Sequence, residues 1–334
     1  MRIIFNLFCM LIMAAYSGTY LHADCIDGDC KDGKGKYTWK NGAHYEGDFK
    51  GGAMNGTGSY TDEKGDQYTG EFKKSKLNGQ GRVIYKSGDI AEGNYVNSLL
   101  DGDGAILSKN GDRYKGQFKK GKKNGQGEFM FVNGDSYTGM FKDDFFEGEG
   151  LFKYAAGGSF KGTFAKGKPV KGIYTDAEGN QFIGALKNGK LNGAGVIIYK
   201  NGAKYEGTFT ESVMHGKGTC VDEFGNQYVG EFKNGKLNGK GKVTFKNGVI
   251  DEGIFADGIL DGPGSRKLSS GDIYTGGFSR GKYSGKGTYR TVKNIQYIGE
   301  FKDGVFHGKG RLIRPDGSVD KEGTWDKGKF VDQK

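Results

Sequence analysis

The sequence predicts an all-β fold, an elongated single-layer array of β-hairpins with no separate catalytic domain. Three observations predict it. The stretch Tyr45-Glu46-Gly47-Asp48-Phe49 returns as Tyr68-Thr69-Gly70-Glu71-Phe72 and as Tyr114-Lys115-Gly116-Gln117-Phe118. Its central glycine falls at Gly47, Gly70, Gly93, Gly116, Gly139, Gly162, Gly184, Gly207, Gly230, Gly253, Gly276, Gly299 and Gly323. The step is 23 residues, with one of 22 (Gly162 to Gly184) and one of 24 (Gly299 to Gly323); a fixed period of this size marks a repeat array. The composition agrees. Gly is 64 of 334 residues and Pro only 3, which excludes collagen, and 13% aromatic residues exclude a disordered chain. Finally, aromatic and polar residues alternate between glycine-containing turns, the period of a strand.

Taken in order, residues 1–23 stand apart. Arg2 precedes an apolar run, Ile3–Ala15, broken only by Asn6 and followed by Tyr16, Ser17 and Gly18. This predicts a secretory signal peptide cut after Ser17 or Ala23. An uncleaved N-terminal anchor is the alternative. Export to the periplasm, the cell surface or the medium follows as an expectation. Residues 24–42 read as an N-terminal cap with a partial first hairpin. Cys25 and Cys30 bracket a loop that a disulfide can close in an oxidising compartment; two free thiols are the other reading. Cys220 takes a strand position held by Tyr60 in the first repeat and reads as a small buried hydrophobe.

The unit is clearest at 114–136, with expected strands at about 113–119 and 126–132 and turns at Gly121–Gly125 and Asn133-Gly134. Asn-Gly between alternating runs signals a hairpin and recurs at Asn41, Asn110, Asn201 and Asn247. Alternation puts Phe49, Phe72, Phe118, Phe141, Phe209, Phe232 and Phe301 on one face, an aromatic ladder, and Glu, Thr, Lys and Gln on the other. The glycine between the aromatics lets a ring lie over bare backbone.

Residues 41–72 match 201–232 at an offset of 160. The array therefore reads as a tandem duplication, block 43–175 followed by block 176–334 with a C-terminal cap. A kink or change of twist is expected at the 22-residue step, near Lys168-Pro169-Val170-Lys171-Gly172.

Tyr-x-Gly-x-Phe, then Gly, then Gly-x-Gly, at a 23-residue period, resembles the MORN (membrane occupation and recognition nexus) repeat. Tyr228-Val-Gly-Glu-Phe-Lys-Asn-Gly-Lys-Leu-Asn-Gly-Lys-Gly241 is close to that pattern, and the resemblance covers about residues 32–330 in thirteen units. Ala91, Asp251 and Lys321 depart from it at the Tyr position, and Gly172-Ile173 at Gly-x-Gly. The resemblance implies a twisted array of hairpins. Family members include scaffold and interaction proteins, and phospholipid binding has been proposed for the repeat.

Apparent catalytic motifs belong to the repeat. Gly-x-x-x-x-Gly-Lys recurs, for instance at Gly116–Lys122 and Gly230–Lys236, but no Ser or Thr follows the Lys to reach a magnesium ion. His215 and His307 share one slot, read as a turn, where other units carry Asn. Acidic residues recur once per unit with no unique pair to act as acid and base. No enzyme, cofactor, metal or nucleic acid is expected.

The formal net charge of +10 is interspersed along the chain, as on a solvated face. Lys50, Lys73, Lys119, Lys142, Lys187, Lys233 and Lys302 all fall three residues after the central glycine. The leading expectation is an exported, non-catalytic scaffold that docks protein partners along its length, with leftover exposed rings as anchors; a homo-oligomer is compatible with it. The alternative is peripheral binding of the lysine edge to anionic phospholipid or a polyanion. A glycan binder, with only Trp39 and Trp325 to stack sugars, is a third.

Overall fold

The computed structural model describes residues 24–331. The expected signal segment and the last three residues of the expected C-terminal cap lie outside the described residues. Within them are twenty-eight strands and no helix. They fall into two compact units, one through Lys122 and one from Lys123. The first holds nine strands, Asp24–Gly28 to Arg113–Lys119, and nineteen follow from Lys122–Met130 to Lys329–Val331. The 175/176 boundary of the sequence duplication lies inside the second unit. In each unit every strand pairs antiparallel with the next one along the chain.

One repeat is a seven-residue strand and a nine-residue strand, as in Gln227–Lys233 and Lys236–Thr244. The turn between them is two residues long, and both have positive φ: 51° at Asn234 and 78° at Gly235. This is the type I′ turn, whose twist matches that of the strands. The return to the next repeat differs. Gly248 N–H donates to the Phe245 carbonyl (2.9 Å), Phe245 N–H donates to Val249 (2.8 Å), and of these residues only Gly248 has positive φ, 87°. That is a type I turn closed by a glycine bulge.

The expected turn at Gly121–Gly125 is therefore wrong. The first strand, Arg113–Lys119, is as read, but the second runs Lys122–Met130 and the turn is Lys120-Gly121 alone. Glycine at the Gly125 position serves a bulge. In the 227–244 hairpin the register passes from Gly230↔Gly241 to Phe232↔Leu237, so Glu231 faces Asn238, Gly239 and Lys240. The two extra residues make the second strand longer, and Gly239 takes the positive φ (106°) that absorbs them. His215 lies in this bulge and His307, paired with Glu300, lies next to it, both within strands and with the positive φ on Gly216 and Gly308 beside them; they do not occupy a left-handed turn.

The 22-residue step takes its missing residue from the same place. Strand Lys168–Thr175 has eight residues, and its register passes from Thr163↔Lys171 to Phe164↔Pro169, leaving one extra residue where other repeats have two. Pairing continues without a break into Gln181–Lys187.

A single layer must bury its side chains along the sheet. Tyr45 packs edge-on against Phe49 of its own repeat (5.1 Å) and Phe72 of the next (5.3 Å), and Tyr274 does the same with Phe278 (5.1 Å) and Phe301 (4.8 Å). The strand opposite contributes a second row: Met54 faces Phe49, Leu77 faces Phe72, and Leu237 faces Phe232. The glycines complete the fit. In some repeats the tyrosine covers them: a Cβ on Gly58 would lie 2.3 Å from the Tyr45 hydroxyl, and one on Gly150 2.5 Å from that of Tyr137; in others a leucine of the glycine's own strand does so, Leu77 over Gly81 (2.8 Å) and Leu237 over Gly241 (2.7 Å). The tyrosine hydroxyl then donates to the carbonyl of the residue at the bulge, Asp48 from Tyr45 (3.1 Å), Met140 from Tyr137 (2.9 Å) and Gly277 from Tyr274 (2.8 Å).

Burial favours the neutral phenol and pushes Tyr45, Tyr137 and Tyr274 up to about 12, while a phenol in the unfolded chain titrates near 10. The stabilisation is complete below pH ~10 and is lost as pH rises through ~12. Ultraviolet titration should therefore show these tyrosines ionising above pH ~11, together with loss of the β-sheet circular dichroism signal. Normal ionisation near pH 10 in folded protein would contradict the packing.

Candidate functional site

Phe49, Phe72, Phe118, Phe141, Phe209, Phe232 and Phe301 are all buried, none more than 6% exposed. The ladder is the core, as its stacking leads one to expect, and these seven rings are not among the leftover exposed rings expected as anchors: the tyrosines and the opposite strand cover them. What each repeat exposes is its two turn edges and its polar face.

The seven lysines, Lys50, Lys73, Lys119, Lys142, Lys187, Lys233 and Lys302, are exposed, each the last residue of a seven-residue strand before a type I′ turn. Several face another lysine directly, as Lys73 faces Lys76, Lys187 faces Lys190 and Lys233 faces Lys236. Like charges directly opposite one another destabilise a sheet, so packing does not explain this choice.

Both edges are stitched from repeat to repeat. On the type I′ edge, the second turn residue donates to a carbonyl of the preceding repeat, Ser98 to Leu77 (2.8 Å) and Gly258 to Leu237 (2.8 Å). On the other edge an Asp or Asn accepts an N–H twenty residues on: Asp66 from Lys86, Asp89 from Lys109, Asp135 from Ala155 and Asp272 from Val292.

Cys25 and Cys30 form a disulfide, and Cys30 reaches back to where a Cβ on Gly35 would sit. The bridge tethers the outermost strand, Asp24–Gly28, to the turn that precedes Lys34–Thr38. That strand is fully exposed and has little else to hold it. Closing so short a loop is worth about 2 kcal/mol. Reduction should speed amide exchange at Asp27 and Asp29 and leave the repeats beyond residue 68 unchanged.

Cys220 is buried opposite Tyr205, and burial first, then the Asp222 carboxylate, pushes its thiol up to about 11. Sequence reasoning missed one pair. Asp251 is 3% exposed where most repeats place Tyr, and its carboxylate accepts two bonds from the Arg266 guanidinium, both 2.6 Å. Arg266 also donates to the Gly281 carbonyl (3.0 Å) and lies over Phe278. The signal was present, an Asp and an Arg at facing register positions, but reading it needs the register first. In the matching repeat of the first unit Ala91 fills the Tyr position, and the Tyr95 hydroxyl donates to its carbonyl (3.1 Å).

No group of three His, Cys, Asp or Glu is placed to hold a metal among the described residues. The grooves are shallow: one of about 400 Å³ beside His215 and Lys233, another of about 490 Å³ over the Gly47 and Gly58 backbone.

Among solved structures, the chain is similar to the SAS-4 (dCPAP) TCP domain of Drosophila melanogaster in complex with a proline-rich motif of Ana2. The identity is 13%, over 51% of this chain and 86% of that one, with a TM-score of 0.30. It is also similar to the TCP10 domain of Danio rerio CPAP in complex with a STIL peptide (10% identity, 88% and 96% covered, TM-score 0.17). A third likeness is to a catalytically inactive virginiamycin B lyase from Staphylococcus aureus (13%, 89% and 97%, 0.13). At these TM-scores none of them bears on function. No curated protein matches significantly by sequence. The MORN repeat model matches eleven segments: 31–44, 45–67, 68–90, 114–136, 137–159, 182–204, 205–223, 228–250, 252–273, 274–294 and 297–319. The stretches it leaves out include the repeat with Ala91, the 22-residue step and the repeat with Lys321, and all three still form hairpins. With most of its length matched and the hairpin of every matched segment in place, the chain belongs to the MORN repeat family.

Proposed function

We propose that this protein is a non-catalytic scaffold, exported from the cell, that binds protein partners along its repeats. The observation that carries the reading is the division of labour within each hairpin. The aromatic side chains of the ladder are consumed in packing, and the turn edges are exposed from hairpin to hairpin. Such an array offers many similar contacts, and the two grooves found among the described residues are shallow and open. The Cys25–Cys30 bridge supports an oxidising compartment.

A photo-cross-linking residue placed at the exposed Asn188 or Asn234, in cells that make the protein, tests the proposal. Discrete protein adducts that depend on position are expected. Absence of adducts at every exposed turn sampled would overturn it. The facing lysine pairs favour a second reading, attachment to an anionic membrane, at about 1 kcal/mol per lysine near the surface. Co-sedimentation with anionic but not neutral vesicles, abolished by salt, is its signature.

A further inference from the structure

Two runs of type I′ turns carry a second pattern, with twice the period of the repeat; it is interrupted between Ala165–Lys168 and Lys187–Lys190, neighbouring tips that are both +2, and does not extend to the first tip, Lys50–Ala53, which is +1. Take each tip as four residues: the last of the short strand, the two turn residues and the first of the long strand. In the second unit Lys187–Lys190 and Lys233–Lys236 each read Lys-Asn-Gly-Lys, and Ser279–Lys282 reads Ser-Arg-Gly-Lys, with a formal charge of +2 apiece. Between them stand Thr210–Val213, Thr-Glu-Ser-Val, and Ala256–Ile259, Ala-Asp-Gly-Ile, each −1. The first unit shows the same alternation, +3 at Lys73–Lys76, 0 at Val96–Leu99 and +3 at Lys119–Lys122. Over all thirteen tips the charge is +13 against +10 for the whole chain, so the remainder is net acidic. The intervening tips are apolar as well as uncharged or acidic: Val213 and Ile259 are 44% and 50% exposed.

We infer that the type I′ edge of the second unit docks an acidic protein that presents carboxylates about 19 Å apart with apolar groups between them. This rests on the scaffold reading above. Strands lie about 4.8 Å apart, so successive tips are about 10 Å apart and tips of like charge about 19 Å. That exceeds the Debye length of about 8 Å at physiological salt, so each lysine tip acts as a separate site. Lys233, Lys236 and Lys282 have no ion pair among the described residues. Lys190 pairs with Glu211 of the next tip (3.0 Å), which holds its ammonium on the edge. A uniform anionic surface, lipid or polymer, is attracted at every second tip, repelled at Glu211 and Asp257 between them, and makes no use of Val213 or Ile259. A protein with alternating carboxylates and apolar side chains satisfies all five tips, and charge complementarity of this kind fixes register.

Two helical peptides of identical composition test this on the full chain. One carries Glu-Glu clusters 14 residues apart, about 21 Å on a helix, with Leu midway; the control carries them 7 residues apart. Fluorescence anisotropy at physiological salt should give about tenfold tighter binding of the first. Lys236→Glu should abolish that preference. Val213→Ser with Ile259→Ser should weaken the first peptide and leave the control unchanged. All three sites are exposed, and circular dichroism checks that the variants fold. Equal affinity for the two peptides overturns the inference. So does tight binding to phosphatidylserine vesicles that Val213→Ser with Ile259→Ser leaves unaltered, alongside no peptide preference. So does self-association through these tips, read as peptide binding that falls as protein concentration rises. If cross-links to protein persist while the peptide preference fails, the tip edge is wrong and the scaffold reading stands; loss of both removes the two together.

Discussion

Asp251→Ala should destabilise the second unit by about 2–3 kcal/mol, below the full cost of an unpaired buried charge because the Arg266 side chain it leaves behind is 24% exposed. Asp251 is almost fully buried and meets Arg266 through two short bonds. The remaining Gly281 carbonyl accepts only one guanidinium N–H. Asp251→Tyr with Arg266→Val should behave oppositely. It restores the residue types found at Tyr228 and Val243 in the preceding repeat, which face each other in the same register. Exchanging a buried ion pair for well-packed apolar residues is neutral or stabilises by about 1–4 kcal/mol. Denaturant unfolding of the single and double variants checks this. A mild single variant, within about 1 kcal/mol of wild type, would mean that water reaches the pair.

Gly70→Ala should cost about 3–5 kcal/mol, from left-handed backbone strain and overpacking together. Gly70 has a φ of 146°, and a Cβ there would lie 2.3 Å from the Gln80 carbonyl oxygen and 2.6 Å from the Gly81 Cα. Both neighbours are backbone of the paired strand and cannot turn aside. Gly258→Asn is the contrasting case. Gly258 has a φ of 87° in a type I′ turn with nothing within 4 Å of its Cβ position, and Asn tolerates this geometry. Its effect should stay within about 0.5 kcal/mol. Thermal melts of the two variants separate a glycine that lets strands approach from one that merely turns the chain.

The 23-residue glycine period and the Tyr-x-Gly-x-Phe stretch made the hairpin array legible from sequence, because a strand's faces follow from alternation alone. Three features were not legible, for different reasons. The strand Lys122–Met130 was cut short because Gly125, which absorbs the bulge, looks like a turn glycine when register is unknown. That none of the seven ladder rings is left over as an anchor was not legible, because the Tyr45 ring and Met54 close over Phe49 from two different strands. The Asp251–Arg266 pair spans fifteen positions and looks like two isolated surface charges until the strands are aligned. The lysine row was found by position, but its alternation with Val213 and Ile259 emerges only when both sides of each turn are read as one tip.

Each strand in a unit pairs along its length only with its two neighbours in the chain, and the bonds at the turn edges reach no further than the adjoining repeat. Tension applied to the two ends of such a unit loads these bonds in succession, as in an opening zipper, and never all at once in shear. The unit should therefore give way one hairpin at a time, each releasing about 23 residues of slack, on the order of 75–80 Å of contour. Each unit is thereby an extensible tether, in which a pull at one end leaves the distant repeats folded and their turn edges still presented.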